Sequence, residues 1–345
     1  MNFFIPGRLC LFGEHSDWAA EYRQVNPNIE PGYAIVVGTN QGIYAKVKAD
    51  PNLVFKTANC SQVLELAMEE KQLLTVAKNA NFYSYVAGVA YQALIRYQVG
   101  GLAIDNYLTN LPIKKGLSSS AAICVLVARA FNHLYNLDLT IQEEMELAYQ
   151  GERTTPSQCG RLDQACAYGS QPILMTFEGA DYKINPLTEG QELYLIIVDL
   201  AGSKDTQTIL TQLNQCYPTA QNSIQTQVHN YLGKINASLI KQAVDALQQG
   251  DGAKIGDLMN QAQTDFDRCL IPACPDQLSA PILHRLLAHP PLQSYIYGGK
   301  GVGSQGDGTA QLIARDRDSQ AQAIAIIYRD LPQMQCFQLN IPQIN

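Results

Sequence analysis

Residues Pro112–Ala122 read PIKKGLSSSAA, and the apolar run ICVLV follows them directly. A flexible glycine and three hydroxyl groups therefore precede a helix that the apolar pattern predicts over Ser119–Tyr135. The first N–H groups of a helix lack partners within it and, together with the helix dipole, they favour an anion. Serine is also a common helix cap, but one cap requires only one serine. Phosphate binding and capping both remain open for this segment.

A second segment, Pro6–Trp18 (PGRLCLFGEHSDW), lies near the start of the chain. Its strand-like run ends at Gly13 and is followed within four positions by Glu14, His15 and Asp17. Carboxylates and an imidazole can accept and donate several hydrogen bonds, which suits a ligand with many hydroxyl groups. Taken alone, the segment is equally compatible with a solvated turn that contains a capping aspartate.

The third segment is rich in glycine: Gly298–Gly308 (GGKGVGSQGDG) has six glycines in eleven residues. Such a density indicates unusual backbone angles or close backbone approach, although a flexible surface loop has the same composition. Gly301, Gly303 and Gly306 have the spacing of a dinucleotide fingerprint, but a strand is predicted after them where that motif requires a helix. The chain also lacks the G-x-x-x-x-G-K-[ST] pattern of Walker-type NTPases.

Composition limits the partners and the compartment. The 345 residues carry a net charge of −7, with 24 basic and 31 acidic residues and no Lys/Arg run, so no nucleic-acid partner is expected. The first residues, Met1–Pro6, do not form a signal peptide, and no run approaches the roughly 18–20 apolar residues of a membrane helix. Nine scattered cysteines suit reduced thiols, and the spacing of Cys269 and Cys274 argues against zinc. A cytoplasmic protein is expected.

The order of predicted elements indicates an α+β protein of two domains, residues 1–185 and 186–345. The boundary is placed in the turn region Glu178–Gly190, before the apolar strand Leu193–Leu200. Further strands are predicted at Arg8–Phe12, Ala34–Gly38, Ile43–Lys48, Leu102–Leu108, Thr309–Ala314 and Gln335–Ile341. Further helices are predicted at Tyr83–Tyr97, Ile141–Gly151, Thr206–Gln215, Thr219–Gln249, Gly252–Arg268, Ser279–Ala288 and Ser319–Arg329.

In this order the three segments resemble the three motifs of the GHMP kinases, a family that includes galactokinases, homoserine kinases, mevalonate kinases and phosphomevalonate kinases. Arg8–Trp18 is similar to the galactokinase form of the first motif, and Gly116–Ala122 is similar to the second. Gln150–Arg153 (QGER) and Cys159–Gln164 (CGRLDQ) resemble the family's G-E-R and S-G-x-x-D-[QN]. The resemblance implies an N-terminal ATP-binding domain like the second domain of ribosomal protein S5 and a ferredoxin-like C-terminal domain.

The resemblance also implies a role for each motif residue. Asp163 would be the catalytic aspartate that faces the substrate hydroxyl, with Arg8 beside it to keep it ionised and to stabilise the transferred group. Glu14, His15 and Asp17 would bind the sugar. Ser120 and Glu152 would hold Mg²⁺. The ATP phosphates would be bound by Gly116, Leu117, Ser118, Ser119, Ser120 and Ala121, and a glycine-rich loop would be formed by Gly301, Gly303 and Gly306.

The implied function is that of an ATP- and Mg²⁺-dependent kinase that phosphorylates a monosaccharide at its anomeric hydroxyl and is a monomer or homodimer. The sequence departs from the galactokinase pattern in two places: Ser304, Gln305 and Asp307 interrupt the third motif, and the segment Ala19–Pro31 is longer than usual. The longer segment is expected to alter sugar specificity. A mevalonate-type kinase, a homoserine-type kinase and a non-catalytic regulator that binds sugar and ATP remain alternatives, although Arg8 and Asp17 argue against mevalonate.

Overall fold

A computed structural model describes residues 1–58, 60–111, 116–157, 159–188 and 190–341. The strands are β1 (Asn2–Phe12), β2 (Gly32–Asp50), β3 (Asn52–Thr57), β4 (Cys60–Ala67), β5 (Gly101–Thr109), β6 (Ile173–Glu178), β7 (Asp181–Pro186), β8 (Leu193–Asp199), β9 (Ile296–Gly301), β10 (Thr309–Ala314) and β11 (Gln335–Ile341). The helices are α1 (Ser16–Glu21), α2 (Glu70–Ala77), α3 (Tyr83–Arg96), α4 (Ser119–Tyr135), α5 (Ile141–Thr154), α6 (Thr206–Asn214), α7 (Ser223–Asn230), α8 (Asn236–Gln249), α9 (Gly252–Leu270), α10 (Pro275–Leu278), α11 (Pro281–Leu287) and α12 (Arg317–Asp330). None of the helices described is long and apolar enough to cross a membrane.

The chain forms two compact units. The first consists of Met1–Arg8 and Gly38–Ser170, and the second consists of Leu9–Val37 and the chain from Gln171 onward. Strands β1 and β2 each contribute residues to both units. The division at residues 185 and 186 stays a prediction.

In the first unit, four strands follow the order β4-β3-β5-β2, with β3 and β5 parallel and the other neighbours antiparallel. Helix α4 is apolar nearly all round, and its residues Ala121–Ala128 are all buried. A helix of that kind is stabilised by burial on several sides. Helices α3 and α5 cross where a Cβ atom added to Gly88 would lie 2.3 Å from the carbonyl oxygen of Gly151. This close crossing fixes the position of Glu152, the next residue of α5.

The second unit contains a four-stranded antiparallel sheet in the order β11-β8-β10-β9. Numbered along the chain within this sheet, that order is 4-1-3-2, the arrangement of ferredoxin-like folds, as expected. Strand β8 lies second in the sheet and is almost wholly buried, which explains its continuous apolar sequence. In the same unit, the first residues of β2 pair with β6, and β6 pairs with β7.

Among the elements predicted from the sequence, two differ most in the structure. The strands predicted at Ala34–Gly38 and Ile43–Lys48 form one strand, β2, and the helix predicted over Thr219–Gln249 begins only at Ser223. That helix contains a π-helical turn at Tyr231–Ile235, between α7 and α8. π-Helical turns inside α-helices are often found near functional sites.

Candidate active site

Arg8 is the last residue of β1 that belongs to the first unit. It lies beside the loop that precedes α4. Its backbone N–H donates to the carbonyl oxygen of Leu117 at 3.0 Å. The preceding residue must be glycine, because a Cβ atom at Gly7 would lie 2.4 Å from Cδ1 of Leu111 and 2.9 Å from the same Leu117 oxygen. Strand β1 therefore positions the Arg8 side chain at the start of α4.

The Arg8 guanidinium is nearly buried and binds two acceptors. Nη2 forms an ion pair with Oδ1 of Asp163, and Nη1 donates to the carbonyl oxygen of Gly116 at 3.1 Å. The hydroxyl of Ser118 donates to the same Oδ1 atom at 2.6 Å. The Asp163 side chain remains 26% exposed, so a ligand can reach this carboxylate. The structure thus brings together Arg8, Asp163 and Ser118. The contact between Ser118 and Asp163 was not anticipated from the sequence.

Ser118 occupies the N-cap position of α4 without acting as a cap. In the part of the chain that the structure describes, its side chain accepts no hydrogen bond from the helix, and its backbone is left-handed, with φ of 55°. A left-handed conformation is uncommon for serine and costs energy, and such residues cluster at functional sites. The first-turn N–H groups are therefore not satisfied by this side chain, which favours the phosphate interpretation over the capping one.

Glu152 is a buried carboxyl group, only 1% exposed, on α5. It accepts hydrogen bonds from Nε2 of Gln164 at 2.7 Å and from Oγ of Ser157 at 3.2 Å, and Ser120 also bonds to it. Burial, and secondarily the charge of Asp163, raises the pKa of Glu152 to about 7, while these hydrogen bonds act in the opposite direction. A buried carboxyl with a second acid nearby and a hydroxyl beside it offers the hard oxygen ligands that Mg²⁺ prefers. Ser120 and Glu152 therefore fit the predicted metal.

The segment that carries Asp163, Arg161–Tyr168, is fixed by a buried polar network. Arg129 on α4 donates to Oε2 of Glu144 on α5 at 2.8 Å and to the carbonyl oxygen of Ala167 at 2.6 Å. The guanidinium of Arg161 also lies over the Tyr149 ring, 4.4 Å from its centre. These contacts connect α4, α5 and the Arg161–Tyr168 segment, so the orientation of Asp163 is fixed relative to the start of α4.

In the second unit, Glu14 and His15 are buried and Asp17 is half-buried in the first turn of α1. Glu14 forms an ion pair with Lys300 of β9. The turn that presents these residues requires Gly13, which has φ of 96° and whose added Cβ atom would lie 2.1 Å from the Tyr33 carbonyl oxygen. Glu14 and Asp17 therefore follow a turn that requires glycine at position 13, because any other residue there would displace β2.

The His15 ring is packed within the same unit. Its Nδ1 accepts a hydrogen bond from the indole N–H of Trp18 at 3.1 Å, so the ring proton resides on Nε2. Among the described residues, Nε2 makes no hydrogen bond of ordinary geometry. Burial, and secondarily the charges of Lys204 and Lys300, lowers the pKa of His15 from 6.5 to about 3, and a hydrogen bond with the Ser304 backbone opposes the shift. His15 is thus neutral at physiological pH.

This pKa predicts how His15 affects stability. In the unfolded chain His15 binds a proton below pH 6.5, whereas the folded chain leaves it neutral down to about pH 3, so stability falls with pH across that window. His15→Asn, which tolerates the left-handed backbone, removes this penalty. The free energy of unfolding of the variant minus that of the wild type is expected to rise by about 2 kcal/mol between about pH 7.5 and about pH 5.

The measurement is urea unfolding of both proteins at the two pH values. Groups common to both proteins cancel in the difference, including Glu152, whose raised pKa acts in the opposite direction. The same substitution at His284 on α11 provides a matched control in the second unit. A pH-independent difference for His15→Asn would show that the ring is protonated in the folded protein.

The glycine-rich segment begins inside the sheet. Gly301 is the last residue of β9, whereas Gly303 and Gly306 lie in the following turn with left-handed φ values of 66° and 70°. The interposed Gln305 is also left-handed, and its side chain folds back so that Nε2 donates to the Gly301 carbonyl oxygen at 3.2 Å. A Cβ atom at Gly301 would lie 2.0 Å from Oε1 of Gln305. The departure from plain glycine therefore produces a folded turn, and any ligand contact of this turn stays a prediction.

The longer segment Ala19–Pro31 packs against α6 and the residues before α7. Its Tyr22 hydroxyl donates to Asn214 at 3.0 Å, and the Tyr22 ring stacks on Tyr217 with 5.2 Å between ring centres. Residues of this segment line a cavity of about 370 Å³ together with the region from Tyr217 to Lys234. Its effect on sugar specificity stays a prediction.

The family model described as the N-terminal domain of GHMP kinases matches residues 84–170. This range contains Ser118, Glu152 and Asp163. This match supports the GHMP kinase resemblance of the sequence motifs. Members of this superfamily use ATP as a substrate.

Curated relatives of this chain include galactokinases. It is 28% identical to the galactokinase of Thermococcus kodakarensis over 289 residues, which is 77% of each chain. It is 26% identical to the galactokinase of Pyrococcus furiosus over 287 residues, 76% of each chain. Both alignments cover three quarters of the chain.

Solved structures show the fold. The Lactococcus lactis galactokinase complexed with galactose superposes with a TM-score of 0.74 at 18% identity, over 99% of this chain and 93% of that one. The L. major mevalonate kinase in complex with R-mevalonate superposes with a TM-score of 0.71 at 20% identity, over 99% and 96%. At these identities the fold does not distinguish a sugar from mevalonate, so the substrate must be argued from the site.

Proposed function

We propose that this GHMP kinase transfers the γ-phosphoryl group of ATP to a monosaccharide, at its anomeric hydroxyl, and releases a sugar 1-phosphate and ADP. The observation that supports a kinase most directly is the cluster of Arg8, Asp163 and Ser118 at the start of α4. It combines a partly exposed carboxylate, a fixed guanidinium and the N-terminus of a buried helix. Phosphoryl transfer depends mainly on positioning and charge stabilisation, which these groups provide.

In this proposal Asp163 accepts the proton of the sugar hydroxyl, or orients that hydroxyl, as its oxygen bonds to the γ-phosphorus. The bond from the γ-phosphorus to the β–γ bridging oxygen breaks, and ADP leaves. The Arg8 guanidinium stabilises the negative charge on the transferred group, and N–H groups from Ser118 to Ala121 bind the nucleotide phosphates. Ser120 and Glu152 would hold Mg²⁺, which neutralises phosphate charge when bound.

The choice of a sugar rests on Glu14, His15 and Asp17. A buried carboxylate, a buried imidazole N–H and a half-buried second acid are suited to a ligand that both donates and accepts hydrogen bonds. A site that pairs buried polar groups with substrate hydroxyls also discriminates strongly against analogues that lack them. The galactokinase relatives agree with this choice.

The test is ADP release from Mg-ATP in the presence of free monosaccharides and uronic acids, with mevalonate and homoserine as controls. We expect turnover with at least one sugar and a sugar 1-phosphate as its product. Turnover with mevalonate alone would contradict the proposal. ATP binding without turnover of any substrate in the panel would instead favour a regulator.

A further inference from the structure

Lys300 is a buried lysine in a strand made largely of glycine, and the roles proposed so far do not use it. It is 1% exposed and lies next to the last residue of β9. A lysine is almost never fully buried without a partner, because the charged form loses its hydration. Its Nζ donates to Oε1 of Glu14 and to the carbonyl oxygen of Gly301, the latter at 2.9 Å.

The backbone on both sides of Lys300 is fixed by amide side chains of α9. Asn260 accepts a hydrogen bond from the Gly299 N–H at 3.0 Å, and Gln263 accepts one from the Gly301 N–H at 2.7 Å. These bonds hold the end of β9 against α9. The ammonium group is therefore presented from a rigid element, not from a mobile loop.

A second side chain of the same sheet binds the end of β1. Lys300 lies opposite Gln311 in the β9–β10 register. Nε2 of Gln311 donates to the carbonyl oxygens of Cys10 at 2.9 Å and Leu11 at 3.2 Å. Lys300 and Gln311 thus bind neighbouring parts of the first motif. Gln311 binds the backbone of the motif, and Lys300 binds the Glu14 carboxylate.

The ion pair leaves Glu14 able to accept further hydrogen bonds. A carboxylate has about four acceptor positions on two oxygens, and Lys300 contacts Oε1. The Glu14 side chain is 6% exposed. Lys300 therefore fixes the direction of the carboxylate that is expected to bind a sugar hydroxyl.

We propose that Lys300 is a positioning residue that keeps the Glu14 carboxylate oriented for the sugar, so that the glycine-rich segment acts on substrate binding. This inference rests on the proposed function, since it assigns Lys300 a part in sugar binding. Lys300 acts through Glu14 and does not itself touch the substrate.

Other titratable groups lie around Glu14. In the second unit these groups are Lys300 on β9, Tyr231 in the π-helical turn and His15, which is itself affected by Lys204. Burial, and secondarily the charge of Glu14, raises the pKa of Tyr231 well above its usual value. His15, with a pKa of about 3, stays neutral. Lys300 is therefore the group whose contact with Glu14 is a direct ion pair.

The experiment measures kcat and KM for the sugar and for ATP with the wild type, Lys300→Met, Glu14→Gln and the double variant. Lys300→Met is expected to raise the sugar KM at least about tenfold, the scale of one hydrogen bond to a charged group, and to leave the ATP KM unchanged. An unchanged sugar KM would overturn the proposal.

The double variant keeps the inference testable if Lys300→Met fails to fold. Removing both members of a buried ion pair is often tolerated, whereas removing one leaves an uncompensated charge. If Lys300 acts only through Glu14, the double variant and Glu14→Gln have the same sugar KM. A double variant about tenfold worse than Glu14→Gln would overturn the inference. Failure of the proposed function would look different, because the wild type itself would then turn over no sugar.

Discussion

Asp163→Asn is expected to lower kcat at least about 100-fold, the scale of losing a general base. The substitution preserves the shape of the side chain but removes the charge that binds the Arg8 guanidinium and the Ser118 hydroxyl. An amide is also a far weaker proton acceptor than a carboxylate. The binding constant of Mg-ATP should change less than about threefold, because the loss falls on the transition state and not on nucleotide binding.

The measurement is steady-state kinetics with the sugar that gives turnover, together with ATP titration of the enzyme without sugar. Asp138→Asn is the matched control, because Asp138 is exposed in the same unit and its left-handed backbone, with φ of 54°, accommodates asparagine. It should retain wild-type kcat. Near-wild-type turnover by Asp163→Asn would remove Asp163 from the proposed role.

The elements that the sequence predicts best are those whose apolar composition indicates that they are buried. Helix α4 has the predicted bounds, Ser119–Tyr135, and strands β10 and β11 also begin and end where the sequence places them. Their apolar runs are continuous or strongly periodic, and polar or glycine residues flank them. Burial on several sides leaves little choice of residue type, so the pattern alone identifies such elements.

Other elements were missed because tertiary contacts override the local pattern. Gly42 resembles a turn residue, yet β2 continues through it: its N–H donates to Asn110 at 2.8 Å, and a Cβ atom there would lie 2.4 Å from the Phe4 ring. Strand β4 was not predicted because most of its side chains are exposed, which removes the alternation of apolar and polar residues. Neither the continuation of β2 through Gly42 nor the strand β4 can be recognised from a short window of the sequence.

The same distinction applies to the candidate site. The motif residues Arg8 and Asp163 were named together from the sequence, and the structure joins them across 155 positions of the chain. The resemblance gave no role to Ser118 beyond phosphate binding, and none to Lys300, whose partner Glu14 is 286 positions away. Long-range pairs of this kind follow from strand register, as between β9 and β10, and local sequence patterns do not encode register between distant strands.

Replacing Arg8 tests whether the cluster works as one unit. Arg8→Met is expected to lower kcat by about 100- to 1,000-fold, the scale of losing one preorganised donor to the developing charge. Arg8→Lys should lie between Arg8→Met and the wild type. A lysine retains the positive charge but has no planar fork with which to bind Asp163 and the Gly116 carbonyl oxygen together. Thermal unfolding of both variants checks that the loss is not one of folding.

The decisive measurement is the double variant Arg8→Met with Asp163→Asn. If the guanidinium and the carboxylate act together on the same transition state, the double variant should lose about as much kcat as the more damaging single variant. Arg8 contacts both Asp163 and the loop before α4, so removing either partner already disrupts the geometry that the other requires. Losses that multiply instead would mean that the two groups act in independent steps. In that case the ion pair seen in the structure would serve folding, and each residue would need its own account in catalysis.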